Sequence, residues 1–229
     1  MFRLTTYGRR EWLGVSAIAA PLCALMAAGG VWLSAWFWAA LVPTAAIWAW
    51  VLWFFRDPQR RPPQGEHLFV SPADGRVTDI TPLGPDSSLG RRGVQVGIFM
   101  SVFDVHVNRS PCEGRIERVE RRDGVFLDAR DPHASARNES ATIHIAHCRG
   151  GRDYPVVVRQ IAGLVARRIV TDVRQGDQAP RGRRIGMIKF GSRVELMVCD
   201  ELSPRVCVEI GLRVQAGRTV IVETREPKQ

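Results

Sequence analysis

Lysine is almost absent from this sequence. Of its 32 Lys and Arg residues, only Lys189 and Lys228 are lysines, and Lys228 lies in the C-terminal tail. A pyridoxal-dependent decarboxylase needs a lysine for its Schiff base and usually a large α/β fold. With one candidate lysine and a downstream region of modest size, this class of enzyme is disfavoured.

Cysteine is also scarce, and the five cysteines show no CxxC spacing. This excludes a disulfide framework or a zinc knuckle and predicts a reducing compartment. His144 and His147 precede Cys148, but residues three apart on a strand face opposite ways, so we expect no metal site there.

Arginine therefore carries nearly all of the positive charge, and the formal net charge is +9. Such a charge suits either anionic phospholipid or nucleic acid. The region after residue 55 has neither aromatic residues interleaved with its arginines nor a Lys/Arg-Gly-Phe signature, so nucleic acid is disfavoured.

Charge of either sign is missing between Glu11 and Arg56. That stretch is more than twice the length of about 20 apolar residues that crosses a bilayer. All seven tryptophans lie between residues 12 and 53, as expected of interfacial aromatics, and arginines flank both ends. We expect residues 1–55 to form a helical transmembrane or re-entrant hairpin, broken near Gly29-Gly30 or Ser34-Ala35, with both ends in the cytoplasm.

The rest of the chain is predicted to be mainly β. Residues 56–67 are rich in Pro and Arg and indicate a juxtamembrane linker. Residues 68–229 form the predicted soluble domain, whose apolar residues come in short β-branched runs. The runs are 94–102, 141–146, 154–161 and 194–198, followed by a predicted hairpin of Val206–Val214 with Thr219–Glu223 around a turn at 215–218.

Two polar segments contain candidates for proton transfer. Ser71-Pro-Ala-Asp-Gly-Arg76 predicts a tight turn that fixes the Asp74 carboxylate, where it could orient a histidine. Asp104 and His106 are expected to share one face of a strand, since side chains alternate with period two. Asn108 and Arg109 make the same stretch unusually polar.

The pair Gly191-Ser192 is the strongest candidate for a reactive centre. It is not the nucleophile elbow of an α/β-hydrolase, because Val194 stands where that motif has its second glycine. A glycine before a serine has another use: without a Cβ, it permits a strained turn in which the serine hydroxyl approaches the preceding carbonyl.

These motifs, taken in order, resemble those of the phosphatidylserine decarboxylases, and most closely the short bacterial branch. The motifs are Phe54-Phe-Arg-Asp-Pro58, Ser71–Arg76, Phe103-Asp-Val-His-Val-Asn-Arg-Ser-Pro111, Arg137-Asn-Glu139, Gln160-Ile-Ala-Gly-Leu-Val-Ala-Arg-Arg-Ile169 and Gly186-Met-Ile-Lys-Phe-Gly-Ser192. The resemblance covers nearly the whole chain, including the anchor.

The resemblance implies a proenzyme that cuts itself between Gly191 and Ser192. The products would be a membrane-associated β chain, 1–191, and an α chain, 192–229, interleaved in one β-rich domain. Ser192 would become an N-terminal pyruvoyl group, the covalent cofactor, and its carbonyl would form a Schiff base with the substrate amine. The implied partners are phosphatidylserine and the anionic cytoplasmic face of a bacterial inner membrane; assembly beyond the two fragments is left open.

The resemblance also implies that Asp74 and His106 act with Ser192. The longer branch of the family has a second histidine three residues after the position of His106, where this chain has Arg109. Either His106 serves as base for cleavage and as acid/base for decarboxylation, which we prefer, or another group takes one role.

Two alternative functions stay open at this point. One keeps the mechanism and changes the substrate to another lipid with a phosphoserine headgroup. The other is a non-catalytic, membrane-tethered β domain that binds lipid through its arginines, which predicts a chain that stays intact on a denaturing gel.

Overall fold

Two units make up the structure, one from Met1 to Gln59 and one from Arg60 to Gln229. The computed structural model describes residues 3–131, 133–164, 168–189 and 191–225. We call the two parts the helical unit and the β unit. As the sequence predicts, the protein combines a mainly β domain with an N-terminal pair of helices.

The helical unit is a pair of apolar helices, α1 (Arg9–Trp32) and α2 (Trp36–Phe54), each long and apolar enough to cross a membrane. The break falls at residues 33–35, the second of the two predicted positions. The helices pack closely where α1 has glycine, since a Cβ at Gly29 would overlap the Phe37 ring. Most of their large apolar side chains stay exposed, as lipid-facing helices require.

Among the described residues, the β unit contains fourteen strands and one short α-helix. The strands are β1 Leu68–Val70, β2 Gly75–Leu83, β3 Gly93–Met100, β4 Val107–Arg109, β5 Gly114–Arg122, β6 Ser140–Arg149, β7 Arg152–Ile161, β8 Ile169–Thr171, β9 Gln178–Ala179, β10 Arg184–Ile188, β11 Ser192–Cys199, β12 Pro204–Val206, β13 Arg213–Val214 and β14 Val220–Thr224; the helix is α3, Ala134–Arg137. The four apolar runs predicted as strands correspond to β3, β6, β7 and β11.

The main sheet has eight antiparallel strands in the order β13-β2-β3-β11-β7-β6-β5-β9. Two three-stranded sheets, β1-β14-β12 and β4-β10-β8, complete the unit. Along β11, Val194, Leu196 and Val198 are fully buried in the core, and Glu195 and Met197, on the other face of the strand, are buried as well. Burial on both faces is typical of a central strand.

Several of the predicted motifs lie together at one end of the main sheet. There β2 begins at Gly75, β3 ends at Met100, β7 ends at Ile161, β6 begins at Ser140 and β11 begins at Ser192. The register brings these termini together: Ser192 pairs with Met100, and Ile161 pairs with Ser140 and with the residue after Ser192. We call this the Ser192 end of the sheet.

The predicted hairpin of Val206–Val214 with Thr219–Glu223 is wrong. Its first arm is split into β12 and β13, and β14 pairs with β12 and β1 while β13 pairs with β2. The chain leaves the extended conformation at Gly211, which has a φ of +92° and donates its N–H to the Val77 carbonyl. The turn at residues 215–218 is present, but its two flanking strands belong to different sheets.

Candidate active site

Gly191 and Ser192 stand where the chain enters the central strand. Gly191 has a φ of +55°, in the left-handed region that favours glycine. A Cβ there would meet no atom, so the backbone conformation and not crowding accounts for the glycine. Ser192 is fully buried, and its Oγ lies 3.5 Å from the Sδ of Met100, its partner in β3.

The Gly191 carbonyl is held against a second glycine, Gly163. A Cβ added at Gly163 would collide with the Gly191 carbonyl oxygen and would also touch the Ala129 side chain at 3.3 Å. Gly163 follows β7 at the Ser192 end of the sheet, so the close approach fixes one side of the peptide bond between Gly191 and Ser192. In the sequence this glycine appears only as part of a motif, and nothing there indicates its contact with Gly191.

Asp74 lies directly before β2 at the same end of the sheet and is nearly buried. Its Oδ2 accepts a hydrogen bond from Arg60 Nη2 at 2.8 Å, and its Oδ1 accepts one from the Ala216 N–H at 2.8 Å. The carboxylate is therefore fixed at a tight turn, as predicted. The sequence analysis did not identify Arg60 as a site residue, because nothing in the sequence distinguishes it from the other arginines of the linker.

His106 is fully buried, but the prediction that it shares a strand face with Asp104 is wrong. Residues 101–104 form a turn, because the Asp104 carboxylate accepts hydrogen bonds from the Ser101 N–H at 2.8 Å and from the Ser101 hydroxyl at 2.7 Å. His106 follows it, with Nδ1 3.0 Å from the Asp104 carbonyl oxygen. Since a carbonyl only accepts, Nδ1 carries a proton, and in the neutral ring Nε2 is the basic nitrogen.

A chain of buried amides reaches the same methionine that contacts Ser192. Thr171 Oγ1 donates to Gln160 Oε1 at 3.0 Å, and Gln160 Nε2 donates to Asn108 Oδ1 at 2.8 Å. The Asn108 amide nitrogen is thereby turned toward Met100 Sδ, 3.7 Å away. The chain joins β4, β7 and β8, and its only signal in the sequence is that Asn108 and Arg109 make their stretch unusually polar for a strand.

Comparisons with known proteins identify the family of this chain. A family model for phosphatidylserine decarboxylase matches residues 47–222. The chain belongs to the phosphatidylserine decarboxylase family.

Several relatives match over most of their length. The phosphatidylserine decarboxylase proenzyme of Salinibacter ruber is 40% identical over 208 residues, which cover 89% of this chain and 89% of that protein. The proenzyme of Pelobacter propionicus is 43% identical over 172 residues, or 74% of each chain. That of Paramagnetospirillum magneticum is 38% identical over 216 residues, covering 93% of this chain and 88% of the relative. The family predicted from the motifs is thus confirmed.

In this member of the decarboxylase family, Arg109 makes structural contacts. Its Nη1 donates to the Gly182 carbonyl at 3.0 Å, and its backbone N–H donates to the Pro72 carbonyl at 2.9 Å. These bonds tie β4 to the segment that leads into Asp74. Arg109 also lies beside Gly217, where an added Cβ would be 3.1 Å from the arginine Cδ.

After Ser192, β11 carries a partly buried ion-pair network centred on Arg193 and the fully buried Glu195. Arg193 Nη2 lies 2.6 Å from Asp79 Oδ2, and Arg193 Nε lies 3.0 Å from Glu195 Oε1. Glu195 also pairs with Arg159 at 3.4 Å and accepts a hydrogen bond from the Ser135 hydroxyl at 2.5 Å. Burial lowers the pKa of Arg159 from its ordinary value. The network fixes the strand directly after Ser192, and nothing in the sequence pairs these distant residues.

His144 and His147 lie away from the Ser192 end. Both are on β6, and His147 pairs with Tyr154 near the opposite end of the sheet. His147 Nδ1 is 2.7 Å from the Glu113 carbonyl oxygen, and its ring meets the Phe69 ring edge-on at 5.1 Å between centroids. Burial lowers the pKa of both histidines. Among the described residues, no group of His, Cys, Asp and Glu has the arrangement of a metal site.

Proposed function

We propose that this chain is a proenzyme that cleaves itself between Gly191 and Ser192 and then decarboxylates phosphatidylserine to phosphatidylethanolamine. The observation that carries the proposal is the conformation of that peptide: a left-handed Gly191 whose carbonyl oxygen lies against Gly163, followed by a buried serine. The relatives' name, phosphatidylserine decarboxylase proenzyme, supports both the processing and the substrate.

Cleavage needs only Ser192, a base and water. Ser192 Oγ attacks the Gly191 carbonyl carbon, the amide C–N bond breaks, and an ester replaces it while the nitrogen gains a proton. Loss of the Ser192 α-proton then expels the Gly191 carboxylate and leaves dehydroalanine. Water adds to the imine tautomer of that residue and ammonia departs, which gives the α chain an N-terminal pyruvoyl group.

His106 and Asp74 are the proposed proton-handling groups. His106 Nε2 is the nitrogen able to accept a proton, because Nδ1 faces the Asp104 carbonyl. Asp74 is fixed by Arg60 and by the Ala216 N–H at the start of β2, two strands from Ser192 in the main sheet. With Arg109 engaged in tying β4 to its neighbours, we assign both the cleavage and the decarboxylation step to His106.

The surroundings of Ser192 fit a pyruvoyl group. Asn108 directs its amide N–H toward Met100 Sδ, a weak acceptor that a carbonyl oxygen near Ser192 could replace. When present, the group supplies the electron sink for loss of carbon dioxide. Asn108 would hold its oxygen in place, Gln160 would keep Asn108 in the required orientation, and His106 would move the proton at the reacting carbon.

Both fragments would remain together as a heterodimer after cleavage. β11 begins the α chain at Ser192 and lies between β3 and β7, which belong to the β chain. β14 likewise pairs with β1 of the β chain. A peptide of isolated short strands is not stable alone, so the α chain depends on these partners.

The membrane would be the bacterial inner membrane, with the β unit on its cytoplasmic face. Two apolar helices cross twice, so both ends emerge on one side, and the arginines at residues 9, 10, 56 and 60 mark that side as cytoplasmic. Residues 55–59 alone connect the end of α2 to the first residue of the β unit. The domain boundaries predicted from sequence, 1–55, 56–67 and 68–229, stay a proposal.

The test compares Ser192→Ala with a matched control, Ser87→Ala, in a surface turn of the β unit. Full-length protein is purified, reconstituted in vesicles of phosphatidylserine, and assayed for two bands on a denaturing gel and for release of carbon dioxide. We expect Ser192→Ala to stay full-length and inactive while Ser87→Ala is cleaved and active. A cleaved Ser192→Ala chain would overturn the mechanism, and a wild-type chain that is cleaved but releases no carbon dioxide would overturn the substrate.

A further inference from the structure

The exposed apolar side chains of the β unit are concentrated on one part of its surface. Among its described residues, the large apolar side chains that are exposed are Phe103, Val125, Leu164, Ile210 and Leu212. Single exposed apolar residues are normal on any protein surface, so their number is not informative. Their location is informative, because clustered apolar side chains mark interaction sites.

Three of the five side chains belong to loops at the Ser192 end of the sheet. Phe103 is 65% exposed at the tip of the turn that follows β3, three residues after Met100. Leu164 is 59% exposed and follows Gly163, the residue packed against the Gly191 carbonyl. Val125 pairs with the segment just before β6 through an isolated bridge.

The other two lie beside the first residues of β2. Ile210 and Leu212 flank Gly211, whose N–H donates to the Val77 carbonyl, and the Val77 N–H donates to the Leu212 carbonyl. The opposite end of the sheet has the turns at 84–92, 150–151 and 200–203. None of the described residues in those turns is a large apolar side chain exposed to solvent.

We propose that the Ser192 end of the β unit is a docking surface for a lipid bilayer, with Phe103 and Leu164 inserted at the level of the headgroups. The proposal rests on the proposed function and deepens it by naming the surface that meets the substrate. The acyl chains of phosphatidylserine stay in the bilayer, so the reacting serine headgroup can be reached only if Ser192 approaches the membrane. Exposed apolar side chains at the Ser192 end of the sheet favour such an approach, because they can insert into the boundary between headgroups and acyl chains.

Two exposed arginines lie at the same end of the β unit. Arg76, the second residue of β2, and Arg168, just before β8, are both exposed there. Asp104, the acidic residue next to Phe103, is engaged by the Ser101 N–H and hydroxyl. Basic side chains near a bilayer surface are attracted to anionic lipid, while apolar side chains provide insertion. A protein partner would need a complementary apolar face, whereas the proposed reaction itself requires a lipid to reach this end of the sheet.

The test measures depth in the bilayer directly. A full-length background with Cys23→Ala, Cys148→Ser and Cys207→Ser leaves the buried Cys112 and Cys199 as the remaining thiols. Phe103→Cys in this background is labelled with an environment-sensitive fluorophore. The matched control keeps the natural, exposed Cys148 near the far end of β6. Both proteins are reconstituted in phosphatidylglycerol vesicles with and without brominated phosphatidylcholine.

We expect bromine to quench the label at position 103 several-fold more than the label at Cys148, with a blue-shifted emission at 103. Equal quenching, or no quenching at 103, would overturn the docking surface. Activity separates the two proposals. If the chain is cleaved and decarboxylates phosphatidylserine but shows no quenching at position 103, the proposed function stands and the docking surface is overturned. If the chain is uncleaved and inactive but is quenched at position 103, the docking surface stands and the proposed function is overturned.

A second measurement uses the double variant Phe103→Ser, Leu164→Ser. The quantity compared is the ratio of decarboxylation on vesicles to decarboxylation on short-chain phosphatidylserine dispersed in detergent. We expect this ratio to fall at least tenfold relative to wild type, while Cys148→Ser leaves it unchanged. An unchanged ratio in the double variant would contradict the proposal.

Discussion

Gly163→Ala should block or strongly slow the maturation of this protein. Gly163 has no positive φ, so alanine suits its backbone, and the change adds only a methyl group. That methyl group would overlap the oxygen of the Gly191 carbonyl group, whose carbon Ser192 attacks. To restore an ordinary van der Waals contact the two must separate by more than 1 Å, and a misplacement of about 1 Å already costs about 100-fold in rate. The accompanying loss of stability should be about 1–3 kcal/mol, as for other overpacked sites.

The assay is the time course of cleavage after cell-free synthesis in vesicles, followed on a denaturing gel. Gly84→Ala is the matched control, because a Cβ at Gly84 meets no atom and its backbone is ordinary. Thermal unfolding by circular dichroism fixes a temperature at which all three proteins are folded, and cleavage is compared there. A folded Gly163→Ala chain that matures at the wild-type rate would refute the contact between Gly163 and the Gly191 carbonyl as a determinant of cleavage.

Three further predictions follow from the site. Asp74→Asn and His106→Ala should slow or stop cleavage on a denaturing gel while His147→Ala does not; normal maturation of His106→Ala would remove its assigned role. Asn108→Leu in cleaved protein should lower the rate of carbon dioxide release about 100-fold, as when one oxyanion donor is lost, and an unchanged rate would dismiss the donor role. Burial lowers the pKa of His147, so the folded state binds fewer protons and its melting temperature should fall as the pH drops below 6.5, the ordinary histidine value; His147→Gln should flatten that dependence, and an equal slope would contradict it.

The parts of the fold that the sequence predicted are those set by local pattern. The uncharged run predicted the helix pair, and the apolar runs at β3, β6, β7 and β11 predicted the strands of the central sheet. The break between the helices also fell at a predicted position. Each of these depends on the period of burial along a single segment, which the sequence displays directly.

Errors arose where a pattern had more than one solution. The alternating residues from Val206 to Val214 fit one long strand, but Gly211 redirects the chain to β2. Asp104 and His106 have strand spacing, but the Asp104 carboxylate closes a turn on Ser101 instead. In the first case a long-range hydrogen bond from the Gly211 N–H to the Val77 carbonyl accompanies the change of direction, and in the second the local hydrogen bonds between Ser101 and Asp104 close the turn.

The sequence named the candidate site residues but not the contacts that hold them. Ser192, Gly191, Asp74 and His106 follow from residue type and motif. The contact of Gly163 with Gly191, the ion pair of Arg60 with Asp74 and the Asn108–Gln160–Thr171 chain join residues far apart in sequence. Such pairs need the strand order, which no local pattern specifies.

Intact-mass spectrometry of the purified wild-type protein tests the central claim most directly. The account predicts two fragments that divide between Gly191 and Ser192, with the α chain lighter by one ammonia than residues 192–229 bearing an N-terminal serine. Its N-terminal carbonyl should be trapped by an amine with borohydride. A single unmodified chain, stable for days at neutral pH, would contradict self-cleavage and favour a membrane-tethered lipid-binding domain.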